Sequence, residues 1–339
     1  MPDVAIPTGK RDDPIKARRD LAWLRRTRVP ATFFGMVLGI CGLGNGWRAM
    51  ARLGLAPAWA GETLSLLGVA VWAAWLVFYG ARWLNDRDTV LVEVRDPTFS
   101  FFASMAPVAT MIASVGLAPT WSGPAWVMAV AGLVGTTLFA VWGVGGLWKG
   151  DRTFEATTPI LYLPTVGGGF VAAMTCAAFG MKELGLLYFG AGLLSWLTLE
   201  SVVIHRLILQ TLPVPLRASL GLHLAPPALA CVAYLAVTEG PPDRLAQILF
   251  GYALLHALVM VRLVPWLRQQ PFSPAAWAYT FGVSALPLAA LRLTERGLEG
   301  PNASLAVPLF AAANLIIGWI ALRTVSLLLR GKLLPFRTL

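Results

Sequence analysis

The sequence predicts an all-α integral membrane protein of ten transmembrane helices paired as hairpins, and three observations carry that expectation. Of its 339 residues, 57% are hydrophobic and only 13% are charged, against a charged share of roughly one quarter in soluble domains, and the mean hydropathy is +0.68. Prolines recur at the middle of apolar runs, at Pro107, Pro164, Pro226 and Pro287, spaced 57, 62 and 61 residues apart. Finally, the cations divide unevenly between alternate ends of the runs.

The predicted crossings are 30–50, 62–84, 98–117, 125–147, 159–180, 185–208, 215–238, 244–266, 274–293 and 303–328, each long enough for a hydrocarbon core about 30 Å thick. Ahead of them lies a basic tail, residues 1–29, with no apolar core or small-residue cleavage pattern. It is expected to stay uncleaved and cytoplasmic. Residues 30–329 form the transmembrane domain and 330–339 a second cytoplasmic tail. With this topology, 21 of the 27 Lys and Arg fall on the cytoplasmic side, and Arg48, Arg52, Lys182, Arg244, Arg292 and Arg296 fall outside. That bias follows the positive-inside rule and explains the net charge of +10 without nucleic acid.

A proline within a helix frees a backbone carbonyl, which in lipid must find a protein or water partner. The proline-bearing arm of each hairpin is therefore expected inside the bundle and the other arm outside. The fifth run, TPILYLPTVGGGFVAAM, sets Pro164 just before Gly167, Gly168 and Gly169. With no Lys-Ser or Lys-Thr after them, these glycines are not a phosphate loop; the combination predicts a bent or locally opened helix. In the first run, Gly35, Gly39, Gly42 and Gly46 share one helical face, which either packs closely on another helix or widens a pore.

No acidic or basic residue lies near the centre of a proline-bearing run. A path between those helices would be lined by Ser, Thr, Gly and aromatic residues and would hold an ion weakly, which favours conduction over capture. Glu200, in LTLESVVIHRL, is the one carboxylate well inside a crossing, with His205 and Arg206 a turn or more further on. It reads as a structural ion pair or hydrogen bond, with Glu200 and His205 as proton-handling candidates in the alternative. His223 and His256 stand on separate runs with no acid nearby in sequence and read as satisfied core histidines. Cys41, Cys176 and Cys231 read as small buried hydrophobes. No nucleophile, base and orienting acid can be assembled, and no Walker sequence is present, so neither an enzyme, a cofactor site, a metal site nor an ATP-driven pump is expected.

Four segments, PATFFGMVLG (30–39), PILYLPTVGGGFVAA (159–173), LSWLTLESVVIHRL (194–207) and PFSPAAWAYTFGVSALP (271–287), together resemble the tellurite-resistance/dicarboxylate transporter family. That family includes the TehA-like bacterial proteins and the slow-type anion channels of plant guard cells. The resemblance implies five hairpins in pseudo-fivefold arrangement, with the odd helices around a central pore and the even ones outside, and a homotrimer with one pore per subunit. It implies a pore gated by a phenylalanine of the ninth helix, here Phe281 followed by Gly282, with Gly35 of the first helix packed against its ring. Phe33 replaces a family glycine and bears on local pore width.

The expected function is passive conduction of small inorganic or organic anions in a bacterial-type inner membrane. The alternatives are a proton-coupled carrier of dicarboxylate, sulfite or tellurite oxyanions, using Glu200 and the histidines, and a scaffold with a vestigial pore.

Overall fold

The computed structural model describes residues 29–333 apart from Pro97 and Asp151. The expectations for most of both tails therefore lie outside the described residues. The described chain is helical throughout, with no strand. Its long helices are α1 (Phe34–Arg52), α2 (Ala58–Asn85), α3 (Ser100–Leu117), α4 (Ser122–Trp148), α5 (Pro159–Ala178), α6 (Lys182–Leu209), α7 (Val214–Val237), α8 (Arg244–Leu267), α9 (Pro274–Glu295) and α10 (Pro301–Leu329).

Nine of these, α2 to α10, are long and apolar enough to cross a membrane. The first expected crossing is less apolar: its 19 residues, about 28 Å at 1.5 Å each, include five glycines, Asn45, Arg48 and Arg52, which dilute its hydropathy. One short helix, Arg87–Arg95, was expected as plain connection. It is fixed at its start by Thr89 Oγ1, which donates to Asp86 at 2.7 Å. Near its end Glu93 pairs with the buried Arg82 at 2.6 Å.

Each odd helix packs along the even helix that follows it, giving five hairpins. The odd helices also close a cycle: α1 meets α3, then α5, α7 and α9 follow in turn, and α9 returns to α1. Each even helix covers the seam to the next odd helix, α2 on α3 through to α10 on α1. Burial follows the same alternation. Between 67% and 83% of the apolar stretch is buried in α3, α5, α7 and α9, against 17–28% in α2, α4, α6, α8 and α10. The proline-bearing arms are inside, as the cost of a freed carbonyl in lipid requires, and Leu187, Ile248, Leu258 and Leu322 cover the outside.

Small residues allow the helices to approach. A Cβ on Gly39 would lie 2.2 Å from Thr280 Oγ1, and one on Gly42 would lie 2.3 Å from Ser284 Oγ. The glycine face of α1 is thus a close-packing surface against α9. Gly169 of α5 would place its Cβ 2.9 Å from the Cα of Gly192 in α6.

Most of the expected outside cations are paired, two of them to one shared carboxylate. Arg48 pairs with Glu62 at 2.6 Å, Arg52 and Arg292 both pair with Glu295 at 3.0 Å, and Lys182 pairs with Glu239 at 2.5 Å. Arg296 donates to the carbonyls of Leu235 and Gly240. Cys41, Cys176 and Cys231 are buried free thiols.

Replacing Gly169 by Val forces backbone apart and is expected to cost about 1–3 kcal/mol, read as a lower thermal unfolding midpoint in detergent. Gly251→Val, where nothing lies within 4 Å of the added Cβ, is expected to leave the midpoint unchanged.

Candidate functional site

Two features stand out, one on the axis of the inner cycle and one beside it. On the axis, a cavity of about 80 Å3 is lined by Thr32, Met105, Ile160, Leu222 and Ala278, which come from the starts of all five inner helices. Among the described residues, none that lines it is charged. The turns that open α1, α5, α7 and α9 have no side-chain cap, while ahead of α3 Asp96 Oδ1 accepts from the N–H groups of Thr98 and Phe99 at 2.8 Å; the positive ends of the five helix dipoles gather around this mouth.

Phe281 lies one turn further along α9 than Ala278 and is 5% exposed. The other faces of α9 are taken by its neighbours. Trp277, Thr280 and Ser284 meet the glycines of α1. On the side of α7, a Cβ on Gly221 would lie 2.5 Å from Tyr279 N, and one on Gly282 would lie 2.9 Å from Ala225 N. Phe281, about 100° round the helix from Thr280, is left pointing inward. Its Cε1 comes within 3.6 Å of the Cβ position of Gly167 in α5. Since α5 does not adjoin α9 in the cycle, the ring reaches across the axis.

Gly167 closes a π-helical turn, Leu163–Gly167, that contains Pro164. The widened turn is the opened helix expected around Pro164-Thr-Val-Gly, and such turns absorb a missing hydrogen bond without ending the helix. Pro107, Pro226 and Pro287 lie within α3, α7 and α9.

Two expectations need correction. The atoms nearest a Cβ on Gly35 belong to Met105, at 3.2 Å, and Trp277. Gly35 lies a turn before Gly39, which already faces Thr280, so it falls short of Phe281 in this parallel pairing. Gly167 is the glycine found against the ring. Phe33 does not narrow the passage: its ring packs edge-on to Trp75 of α2, with centroids 5.3 Å apart.

The second feature joins residues expected to be separate. Glu200 of α6, 9% exposed, accepts through Oε2 from Tyr162 Oη of α5 at 2.8 Å and from Trp196 Nε1 at 2.9 Å. Its Oε1 accepts from Tyr252 Oη of α8 at 3.4 Å and faces the Nε2 atoms of His223, at 3.6 Å, and His256, at 3.8 Å. The two imidazoles stack with centroids 5.0 Å apart. His223 and His256 are therefore members of one cluster with Glu200 and not isolated core histidines. His205, five residues and some 140° round α6 from Glu200, is exposed and packs on Phe154 instead. The carboxylate and two histidines are the described residues whose arrangement fits a metal ion. Sequence reasoning passed over Tyr162, Trp196 and Tyr252; the signal available was that three lone ionisable groups in apolar helices need partners.

Residues 28–325 match the SLAC1 family, described as a voltage-dependent anion channel. Over 308 residues, 90% of this chain and 92% of the relative, the sequence is 30% identical to a tellurite resistance protein TehA homolog of Haemophilus influenzae. Two Arabidopsis thaliana proteins are also similar. One is the S-type anion channel SLAH3, 23% identical over 94% of this chain and 52% of its own length. The other is the guard cell S-type anion channel SLAC1, 24% identical over 88% of this chain and 56% of its own length. With the cyclic bundle of apolar helices and the match along most of its length, the chain belongs to the SLAC1 family, in which TehA-type proteins and S-type anion channels are joined.

Proposed function

We propose that the protein is an anion channel in which small inorganic or organic anions pass passively along the axis of the inner helices and Phe281 is the gate. The observation that carries this reading is the Phe281 ring lying across the axis against Gly167, a turn beyond a mouth faced by five helix starts. An aromatic ring in a narrow apolar passage excludes water and therefore ions. The helix starts favour anions at the mouth, and its described lining, which carries no charge, gives an anion little to hold it there. Gly282 lets α7 come close enough to fix the ring's backbone. Nothing in this role requires catalysis.

The same proposal includes ten crossings in pseudo-fivefold arrangement, supported by the repeated contact of each even helix with the following odd one. Prolines 107, 164, 226 and 287 relax the inner helices around the passage. Both termini are cytoplasmic in an inner membrane, supported by the cation bias and by the pairing of four of the six expected outer cations with carboxylates. The family resemblance suggests a homotrimer with one pore in each subunit.

Replacing Phe281 by Ala is expected to raise anion current in planar bilayers on the order of tenfold or more, with reversal potentials that track the anion gradient; equal currents in the two proteins would count against the gate. Glu200→Gln is expected to leave the flux independent of a proton gradient, measured as anion efflux from proteoliposomes with and without a pH step. Proton-dependent flux in the wild type that vanishes in this variant would establish the coupled carrier instead.

A further inference from the structure

We infer that Glu200, His223 and His256 form a binding site for one divalent transition-metal ion of the zinc class. The inference follows from how the polar atoms of the cluster are arranged. A backbone carbonyl only accepts, so the 3.0 Å contact between His256 Nδ1 and the carbonyl of His223 places a proton on Nδ1. Tyr162 has one hydroxyl proton, and it is given to Glu200 Oε2. The 3.1 Å contact between that hydroxyl and His223 Nδ1 therefore requires His223 to donate from Nδ1. Both imidazoles are thus held through Nδ1 and turn Nε2 toward the carboxylate oxygen Oε1, at 3.6 and 3.8 Å.

Three atoms of metal-ligating type thus converge in a buried place. The distances are too long for N–H···O hydrogen bonds, but close to the ligand–ligand spacing of about 3.3–3.5 Å around a tetrahedral zinc with bonds of about 2.0–2.1 Å. All three ligand atoms lie within 4.8 Å of one another. Two imidazole nitrogens and one carboxylate suit zinc or cobalt and not magnesium or calcium, which prefer all-oxygen sites. The surroundings match as well. Metal-binding histidines donate their other nitrogen to a carbonyl or a hydrogen-bonded group, and a ligating carboxylate is held by donors. Here those roles are filled by the His223 carbonyl, Tyr162 and Trp196. Three protein ligands leave a fourth position for water or an anion.

The ion ties α6, α7 and α8 together, and through Tyr162 it reaches α5. Tyr162 immediately precedes the π turn that ends at Gly167 against the Phe281 ring, while Leu224, next to His223, packs against Gly282. The site therefore braces two of the walls that hold the phenylalanine. A lower anion current on zinc binding follows only if the channel reading holds; the binding itself does not depend on it.

The test loads purified full-length protein in detergent with Zn2+ or Co2+, removes free metal by desalting, and measures metal per chain by mass spectrometry and the thermal unfolding midpoint. The wild type is expected to keep about one ion per chain and to melt at a higher temperature with metal than with chelator. His256→Ala and the milder Glu200→Gln are expected to lose the ion at least tenfold and to lose the metal-dependent shift. A protein with Cys41, Cys176 and Cys231 all changed to Ala is expected to retain it. The bound Co2+ is expected to show tetrahedral visible bands without a thiolate charge-transfer band, a result that stands even if a variant fails to fold. Wild type holding less than about a tenth of an ion per chain, a thiolate band, or unchanged metal content in folded His256→Ala would overturn the assignment.

Discussion

In a bilayer, a backbone carbonyl without a partner costs several kcal/mol, and that constraint sorts the helices of this protein. Runs that carry a proline in their middle cannot face lipid without cost, so α3, α5, α7 and α9 are drawn inward, and the outer helices, where Pro265 of α8 and Pro308 of α10 lie nearer the ends, are left to cover them. Burial of 67–83% in α3, α5, α7 and α9, against 17–28% outside, is the outcome. The π turn at Leu163–Gly167 shows the constraint locally: Pro164 disrupts the helix where other helices surround it.

Once the irregular helices are inside, small residues decide how they pack. Gly39 and Gly42 bring α1 onto Thr280 and Ser284, while Gly221 and Gly282 bring α7 and α9 into backbone contact. With both flanks of α9 occupied, the direction of Phe281 is no longer free. Its ring has the inner face, and Gly167 across the cycle leaves room for it. The proposed gate is thus a consequence of how tightly α9 is held by its two neighbours. Glu200, His223 and His256 sit between the inner and outer layers, and at the expected outer end Arg48, Arg52, Arg292 and Arg296 are tied to Glu62, Glu295 and backbone carbonyls.

Much of this architecture was legible in the sequence because the proline spacing is periodic and each proline acts through local backbone chemistry. The inner and outer roles of the helices could be read from it, and so could the opened turn near Pro164. Contacts between helices distant in sequence were not legible. Gly35 and Gly167 both lie in glycine-rich runs, and only the rotation of each helix about its axis decides that the second meets Phe281. The cluster of Glu200, His223 and His256 was missed for a related reason. Its members lie on three helices with no shared spacing, and the next ionisable residue after Glu200, His205, points to another face. The helix Arg87–Arg95 escaped because its short amphipathic pattern sits in a connection where charge was already explained by topology.

The most direct test of the account is where the Phe281 ring points. Replacing Phe281 with the photoreactive p-benzoylphenylalanine, irradiating the purified protein and sequencing the crosslinked peptides by mass spectrometry would locate its neighbour. A ring lying across the axis predicts attachment to α5 at or beside Gly167. Attachment confined to α1, α7 or lipid would mean that the ring does not cross the passage, and the proposed gate would have to be abandoned.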